Sequence, residues 1–366
     1  MQSRLAVFMV QLRSVSETFI RRHVEDLAPG RTVAVARMTG LPGAPPCPSF
    51  LEDRWQLGLP VRLAIRAGIR RERLLEASIG AFLRRHRVSV VLGEYLDQFV
   101  DFVPMLERME LPYVVQAHGL DVSSSLLKPG MAERYRAYRS ARAILTRCEF
   151  HRRRLIEIGL PAGKIHLNPG GVDIPHEPPV RAPEAATRFL AIGRMTPQKA
   201  PIVLLEAFRM AASRNSHLTL DFVGAGQLFP AALQFVKACG LEGRVRLHGL
   251  ASEELKHRLL RECGVFVQHC AVDPETGDEE GLPAAIQEAM AYGLAVVSTR
   301  HSGIPEAVRE GETGLLVNEW DAIAMADAFL KILTNAPALG YAGYSVAAAN
   351  YGWAHEKARL QKWLGV

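Results

Sequence analysis

The sequence has no long hydrophobic run: the longest early one, Leu5 to Val10, spans six residues. That is too short for a membrane span or a signal h-region, and it has the length of a first buried strand. Cysteine is scarce as well. The five thiols, Cys47, Cys148, Cys239, Cys263 and Cys270, are odd in number and contain no C-x-x-C, which disfavours a disulfide framework and a zinc ribbon. Scattered core thiols in a reducing cytoplasm are the expectation. No H-E-x-x-H occurs, and Gly159 to Ile165 has the wrong spacing, with no Ser or Thr after Lys164, for a P-loop. The acidic triplet Asp278-Glu279-Glu280 reads as a solvated loop and not as a divalent-cation site. With 30 Gly and 22 Pro, collagenous, low-complexity and largely disordered readings fall away too.

What is present is a chain of 366 residues, 48% hydrophobic and 22% charged, which can bury a sizeable core and is too long for one ordinary domain. Its net charge of +6 is uneven: residues 1–175 carry +9 and the remainder −3. Much of the excess lies in Arg62 to Arg87, with eight Arg against Glu72 and Glu76. Arg62, Arg66, Arg70 and Arg73 recur at helical spacing, with Ile65, Ile69, Ile79, Phe82 and Leu83 available for burial. Such a basic amphipathic stretch suits anionic lipid, or it is a solvated arginine face. Few aromatics interleave with the arginines, so a nucleic-acid partner is not expected.

Short aliphatic runs alternate with helical stretches in two series. Strands are expected at Leu5 to Val10, Thr32 to Ala36, Val88 to Leu92, Tyr113 to Gln116, Ala143 to Thr146 and Ile165 to Asn168. The second series is Phe189 to Ile192, Leu218 to Val223, Val245 to Leu247, Val265 to His269, Ala295 to Ser298 and Leu315 to Val317. Helices are expected at Glu17 to Leu27, Pro201 to Ala212, Glu253 to Arg261 and Asp321 to Leu333. Two such series predict an α/β protein with two doubly wound, Rossmann-like domains facing across a cleft. The Pro-rich stretch 176–186 reads as a linker between residues 1–175 and 187–344, with a C-terminal helix over about 345–366 packing back on the first domain.

Three constellations carry chemistry. Gly193-Arg194-Met-Thr-Pro-Gln-Lys199 follows a strand and opens a helix, so a guanidinium and an ammonium sit beside a helix start, a geometry suited to a diphosphate. Glu280-Gly281-Leu282-Pro283 precedes a second helix, with Pro283 at a first-turn position and backbone N–H groups at the helix start. Glu288 falls inside that helix among Ala284, Ala285, Ala289 and Met290; facing the core it would need partners, and ribose hydroxyls would serve. Gly224-Ala-Gly226 is followed by Phe229 where a dinucleotide fingerprint has its third small residue. His118 follows the strand Tyr113 to Gln116, and Ser14 to Glu17 has capping-box form.

Together with Phe222-Val-Gly-Ala-Gly226, His248-Gly-Leu250, His301-Ser-Gly-Ile-Pro-Glu306, Ser16-Glu-Thr-Phe-Ile20, His118-Gly-Leu-Asp121 and Pro169-Gly-Gly-Val-Asp173, these strings resemble the family four retaining glycosyltransferases of GT-B fold. Within that family the chain is most similar to the colanic acid and exopolysaccharide transferases. The resemblance implies transfer of a hexose from a UDP- or GDP-linked donor to a glycan or lipid-linked acceptor at the inner membrane face. It assigns the donor diphosphate to Gly193, Arg194 and Lys199, with Gly224 also on the donor side, and the ribose to Glu288. The transferred sugar falls to Glu280 with the Gly281 and Leu282 amides, Pro283 is also on the donor side, the base falls to Leu250 through Ser252, and His118 approaches the sugar from the first domain. Arg194, Lys199, Glu280 and His118 form the implied catalytic set. The missing D-x-D predicts a metal-independent reaction without cofactor, and the family implies front-face retention. Gln11-Leu-Arg-Ser-Val-Ser16 departs from the glycine-rich turn of many members, which leaves the acceptor contacts open. The alternatives are an inactive partner subunit, a nucleotide-sugar epimerase or a phosphorylase of the same architecture; no lysine here marks the pyridoxal phosphate of the last.

Overall fold

The computed structural model describes residues 4–12, 18–40, 45–56 and 58–366. The chain forms two compact units. The first holds a seven-stranded parallel sheet made of β1 (Leu5–Leu12), β2 (Thr32–Thr39), β3 (Ser49–Leu51), β4 (Val90–Glu94), β5 (Tyr113–Gln116), β6 (Ala143–Thr146) and β7 (Ile165–Leu167), in spatial order β3-β2-β1-β4-β5-β6-β7. Leu5 pairs with Thr32 on one side and Val90 on the other, so the first strand of the chain is central in its sheet. The aliphatic runs expected to be strands are all strands, because a parallel sheet covered on both faces selects unbroken β-branched and aliphatic segments. Ser14 to Glu17 lies outside the described residues; the helix that follows spans Thr18–Asp26.

The second unit holds β8 (Arg188–Ile192), β9 (Thr219–Val223), β10 (Val245–Gly249), β11 (Val265–Val267), β12 (Ala295–Thr299) and β13 (Gly314–Val317), in order β10-β9-β8-β11-β12-β13. Strand alternation feeds two cores. Phe189, Ala191, Val265 and Val267 pack under the helices Pro201–Arg214 and Ala322–Ile332, while Leu190, Phe266 and Val296 pack under Glu253–Glu262 and Ala284–Ala291. The chain runs outward from β8 to β10 and returns to β11, so strand order reverses between β8 and β11. A doubly wound sheet binds ligands outside the carboxyl ends of its strands at such a reversal.

The unit boundaries differ from the expected ones. The chain leaves the first unit at Asn168 and re-enters it at Glu356. Residues 176–186 therefore do not connect the units; they belong to the second. Arg181 explains why. Its guanidinium donates to the carbonyl oxygens of Cys263 at 2.6 Å and of Leu260 and Tyr292 at 2.8 and 2.6 Å. Those carbonyls end the helices Glu253–Glu262 and Ala284–Ala291, where no intrahelical donor remains, so one planar cation satisfies two helix ends and holds the proline-rich stretch down. The C-terminal helical region is likewise two helices, Ala336–Asn350 and Trp353–Leu364, and only Glu356 onward joins the first unit. Among the described residues no single helix is long and apolar enough to cross a membrane.

Candidate active site

Two turns build the floor of the site at the reversal point. Gly193 to Met195 leaves β8, and Gly224 to Gly226 leaves β9 and packs against it: the Met195 amide donates to the Ala225 oxygen, and the Leu228 amide to the Met195 oxygen, each at 2.9 Å. Gly224 and Gly226, at φ +147° and +156°, lie where a Cβ would meet the Gly193 oxygen at 1.8 Å and the Met195 oxygen at 2.5 Å. The glycine pair is thus required for backbone to lie on backbone. Pro197–Lys199 forms a short 3₁₀ turn, and Ala200, at φ 35°, swings the chain into the helix Pro201–Arg214.

That turn aims Lys199 inward. Its ammonium, 8% exposed, lies 3.1 Å from Glu280 Oε1 and 3.7 Å from Cys270 Sγ. Burial pushes the Glu280 carboxyl up, but Lys199 and then Arg194 outweigh it and hold the group below the usual carboxylate range. Burial pushes the Cys270 thiol up to about 12, so it stays neutral and the local charges are those of Lys199 and Glu280. Arg194 is exposed at the rim. The two sequence segments singled out for a diphosphate and a sugar therefore meet, 81 positions apart in the chain, through one ion pair.

The loop before the helix Ala284–Ala291 is anchored by residues that sequence reasoning did not assign a role. His301, 1% exposed, accepts the Glu280 amide at Nε2 (3.2 Å) and therefore donates from Nδ1 to Glu319 Oε1 (2.7 Å). The Gly281 oxygen accepts the Gly303 amide at 3.0 Å. The acidic triplet is not a solvated loop: Glu279 is buried, and Asp278 accepts the Gln198 amide group at 3.0 Å, because the loop folds back on the Pro197–Lys199 turn. Pro283 stands at the N-cap, one position before the helix, where its missing N–H costs nothing. Gln268, at the end of β11, donates to the Ile192 oxygen at 2.9 Å, and its own Oε1 is buried without a partner.

Two segments expected on the donor side have protein partners of their own. Glu288 Oε1 lies 3.3 Å from Lys256 Nζ, and its side chain is a quarter exposed. Ser252 caps the helix Glu253–Glu262, its hydroxyl accepting the Leu255 amide at 3.3 Å, while Leu250 is exposed.

In the first unit His118 is buried at the carboxyl end of β5, 2.9 Å from Glu94 Oε2 through its Nε2. Glu94 Oε1 lies 2.6 Å from His23 Nδ1, and His23 Nε2 lies 3.4 Å from Glu356 Oε1. Burial disfavours charge at both inner groups, yet each outweighs it for the other: Glu94 and Glu356 lift His23 to about 10, and His23 with His118 holds Glu94 at about 2. The Tyr95 ring lies 4.3 Å from that of His118, centroid to centroid, tilted by 41°, and Tyr95 itself occupies φ 66°, a strained setting for a non-glycine residue. Among the described residues no group of three or more His, Cys, Asp or Glu side chains is placed to hold a metal ion.

Residues 21–175 match the family described as Glycosyltransferase Family 4, and residues 186–335 match the family described as Glycosyl transferases group 1. The chain belongs to the family four glycosyltransferases of GT-B fold. This family four chain is 33% identical over 266 residues to the amylovoran biosynthesis glycosyltransferase AmsK of Erwinia amylovora, covering 71% of itself and 65% of that protein. It is 32% identical over 212 residues to the putative colanic acid biosynthesis glycosyltransferase WcaL of Escherichia coli K12, covering 57% of itself and 52% of that protein. The alignments thus span between half and two thirds of these relatives. Among solved structures, Anabaena Alr3699/HepE in complex with UDP and glucose superposes with a TM-score of 0.78 at 15% identity, covering 100% of both chains.

Proposed function

We propose that this chain transfers a hexose-type sugar from a nucleoside diphosphate sugar to a glycan or lipid-linked acceptor in polysaccharide biosynthesis, with retention and without a metal. The observation that carries the reading is the Lys199–Glu280 pair at the reversal of strand order, with Arg194 at its rim. Loss of a nucleoside diphosphate from the anomeric carbon builds negative charge on the leaving oxygen. A fixed ammonium and a guanidinium stabilise that charge more in the transition state than in the ground state. Two cations so placed take the part that a carboxylate-bound metal plays elsewhere. Glu280, held as a carboxylate, orients Lys199 and presents an acceptor to sugar hydroxyls. The kinship with amylovoran and colanic acid transferases supports the substrate class, and the UDP and glucose bound by Alr3699/HepE support a nucleotide sugar.

The test is a thermal-shift panel of nucleoside diphosphates and their sugars, with and without EDTA. One nucleoside diphosphate is expected to raise the melting point, to do so equally in EDTA, and to lose its effect in Arg194→Ala. A shift abolished by EDTA would replace the metal-free reading, and no shift with any nucleotide would sink the donor site.

The acceptor side extends to the membrane. The helix Leu59–Arg66 has no buried residue, and Leu59 and Leu63, 67% and 57% exposed, lie one turn apart beside Arg62 and Arg66. An unburied apolar edge framed by cations is the pattern of a helix that lies in an anionic interface. Replacing Arg66, Arg70 and Arg73 by Ser is expected to weaken sedimentation with anionic vesicles while leaving hydrolysis of soluble donor intact. Equal loss of both would make the segment structural.

A further inference from the structure

The Lys199–Glu280 pair is one end of a longer chain of contacts within the second unit. Lys199 follows β8, Glu280 lies in the loop after β11, His301 follows β12 and Glu319 follows β13. Those four strands stand side by side, so each gives one side chain at its carboxyl end, the edge strand β13 included. Glu280 is held through its backbone as well as its carboxylate: its amide donates to His301 Nε2 at 3.2 Å, and His301 Nδ1 donates to Glu319 Oε1 at 2.7 Å. The other oxygen of Glu319 accepts the Val272 amide at 3.0 Å. Val272 and Glu280 are the two feet of the loop. Between them the tip closes on itself, the Asp273 amide donating to the Asp278 oxygen and the Gly277 amide to the Asp273 oxygen, each at 2.8 Å. One carboxylate beyond the edge strand thus reaches both feet, one directly and one through His301.

The backbone is strained where members of this chain sit. Among the described residues of the second unit, three that are not glycine lie in the left-handed region: Ala200, Ser302 and Trp320, at φ 35°, 45° and 63°. Each directly follows a member of the chain, namely Lys199, His301 and Glu319. Such settings persist only where the surroundings over-determine them, and they collect at functional sites. At Trp320 the hold is visible, since its amide donates to Nε2 of the fully buried His269 at 2.9 Å. We propose that His301 and Glu319 are positioning residues that set the place of Glu280 against Lys199 by fixing both feet of the loop that carries it. A carboxylate suits this task because both of its partners here, the His301 Nδ1–H and the Val272 amide, donate, and it offers an acceptor oxygen to each. A side-chain amide at position 319 has one acceptor and one donor, and would set a donor against one of the two N–H groups. This role rests on the reading of Lys199 and Glu280 as the donor site; the clamp on the loop does not.

The experiment has two independent readouts on the full chain. Hydrogen exchange followed by mass spectrometry reads the loop: in Glu319→Gln, residues 271–281 should exchange several-fold faster than in the parent, with the helix Pro201–Arg214 unchanged. Turnover reads the role, measured as release of UDP or GDP from the UDP- or GDP-hexose that the parent hydrolyses. Its kcat should fall about 10- to 100-fold in Glu319→Gln and His301→Ala, while affinity for the nucleoside diphosphate alone holds, because the turn that carries Arg194 and Lys199 is untouched. His301→Gln should keep at least about tenfold more turnover than His301→Ala, since its side-chain amide can accept from Glu280 and donate to Glu319. Unchanged exchange in Glu319→Gln overturns the clamp. Faster exchange with normal kcat, a nucleotide affinity that falls in step with kcat, or equal loss in the two His301 variants overturns the positioning role. Normal turnover in Glu280→Ala, or a parent that releases neither nucleotide, would instead sink the donor-site reading and the positioning role with it, with the exchange result still standing.

Discussion

Lys199→Ala is expected to lower the turnover of sugar transfer by at least about 100-fold while leaving the fold intact, because it removes a charge whose contact strengthens as the leaving diphosphate departs. Glu280→Ala should act on the same scale. The two side chains form one ion pair at 3.1 Å, so the double variant should lose little more than either single one. A simple sum of the two losses would mean that they act on different steps. Radiolabelled transfer at saturating donor, with circular dichroism as the control for folding, measures the effect. Near-normal turnover in either variant would remove that residue from the site. The remaining thiol beside Lys199, Cys270, is neutral and cannot substitute for Glu280 as a counter-charge.

The largest effect on stability is expected at Gly224. Its replacement by Ala places a Cβ 1.8 Å from the Gly193 oxygen at φ +147°, so the clash is with backbone and cannot be relieved by a side-chain rotation. Strain and overpacking together are expected to cost about 3 to 5 kcal/mol. Gly240→Ala is the control: at φ +63° it also carries a strained backbone, but nothing lies within 4 Å, and about 1 kcal/mol is expected. Urea unfolding of both variants gives the comparison. Gly224→Ala should also abolish nucleotide stabilisation, because the turn it displaces is the one that carries Arg194. Equal costs at the two glycines would mean that the Gly193 turn yields freely.

Much of this was legible in the sequence because buried parallel strands announce themselves as aliphatic runs. Only β3 escaped, since Ser49–Leu51 is three residues long and sits in a proline-rich stretch. Arg194, Lys199 and Glu280 were legible as charges flanking strand ends and helix starts, and Lys199 and Glu280 do meet. Contacts that join distant elements were not. His23 lies 71 positions from Glu94 and 333 from Glu356, and no spacing rule pairs residues at such separations. Arg181 misled for a related reason: a proline-rich, helix-averse stretch looks the same whether it hangs free or is pinned by one guanidinium. Lys256, on another helix, was likewise invisible as the ion-pair partner of Glu288.

The return of the chain to its first unit at Glu356 also bears on how the protein is born. Glu356 and Arg359 are synthesised only after every residue of the second unit, at about 5 to 20 residues per second. Until then the His23 cation has one carboxylate where the finished protein gives it two, and the first unit waits on the ribosome in an incomplete form while its neighbour can already close around Arg181. The order of emergence and the order of completion are therefore reversed: the half that is translated first is the half that is finished last.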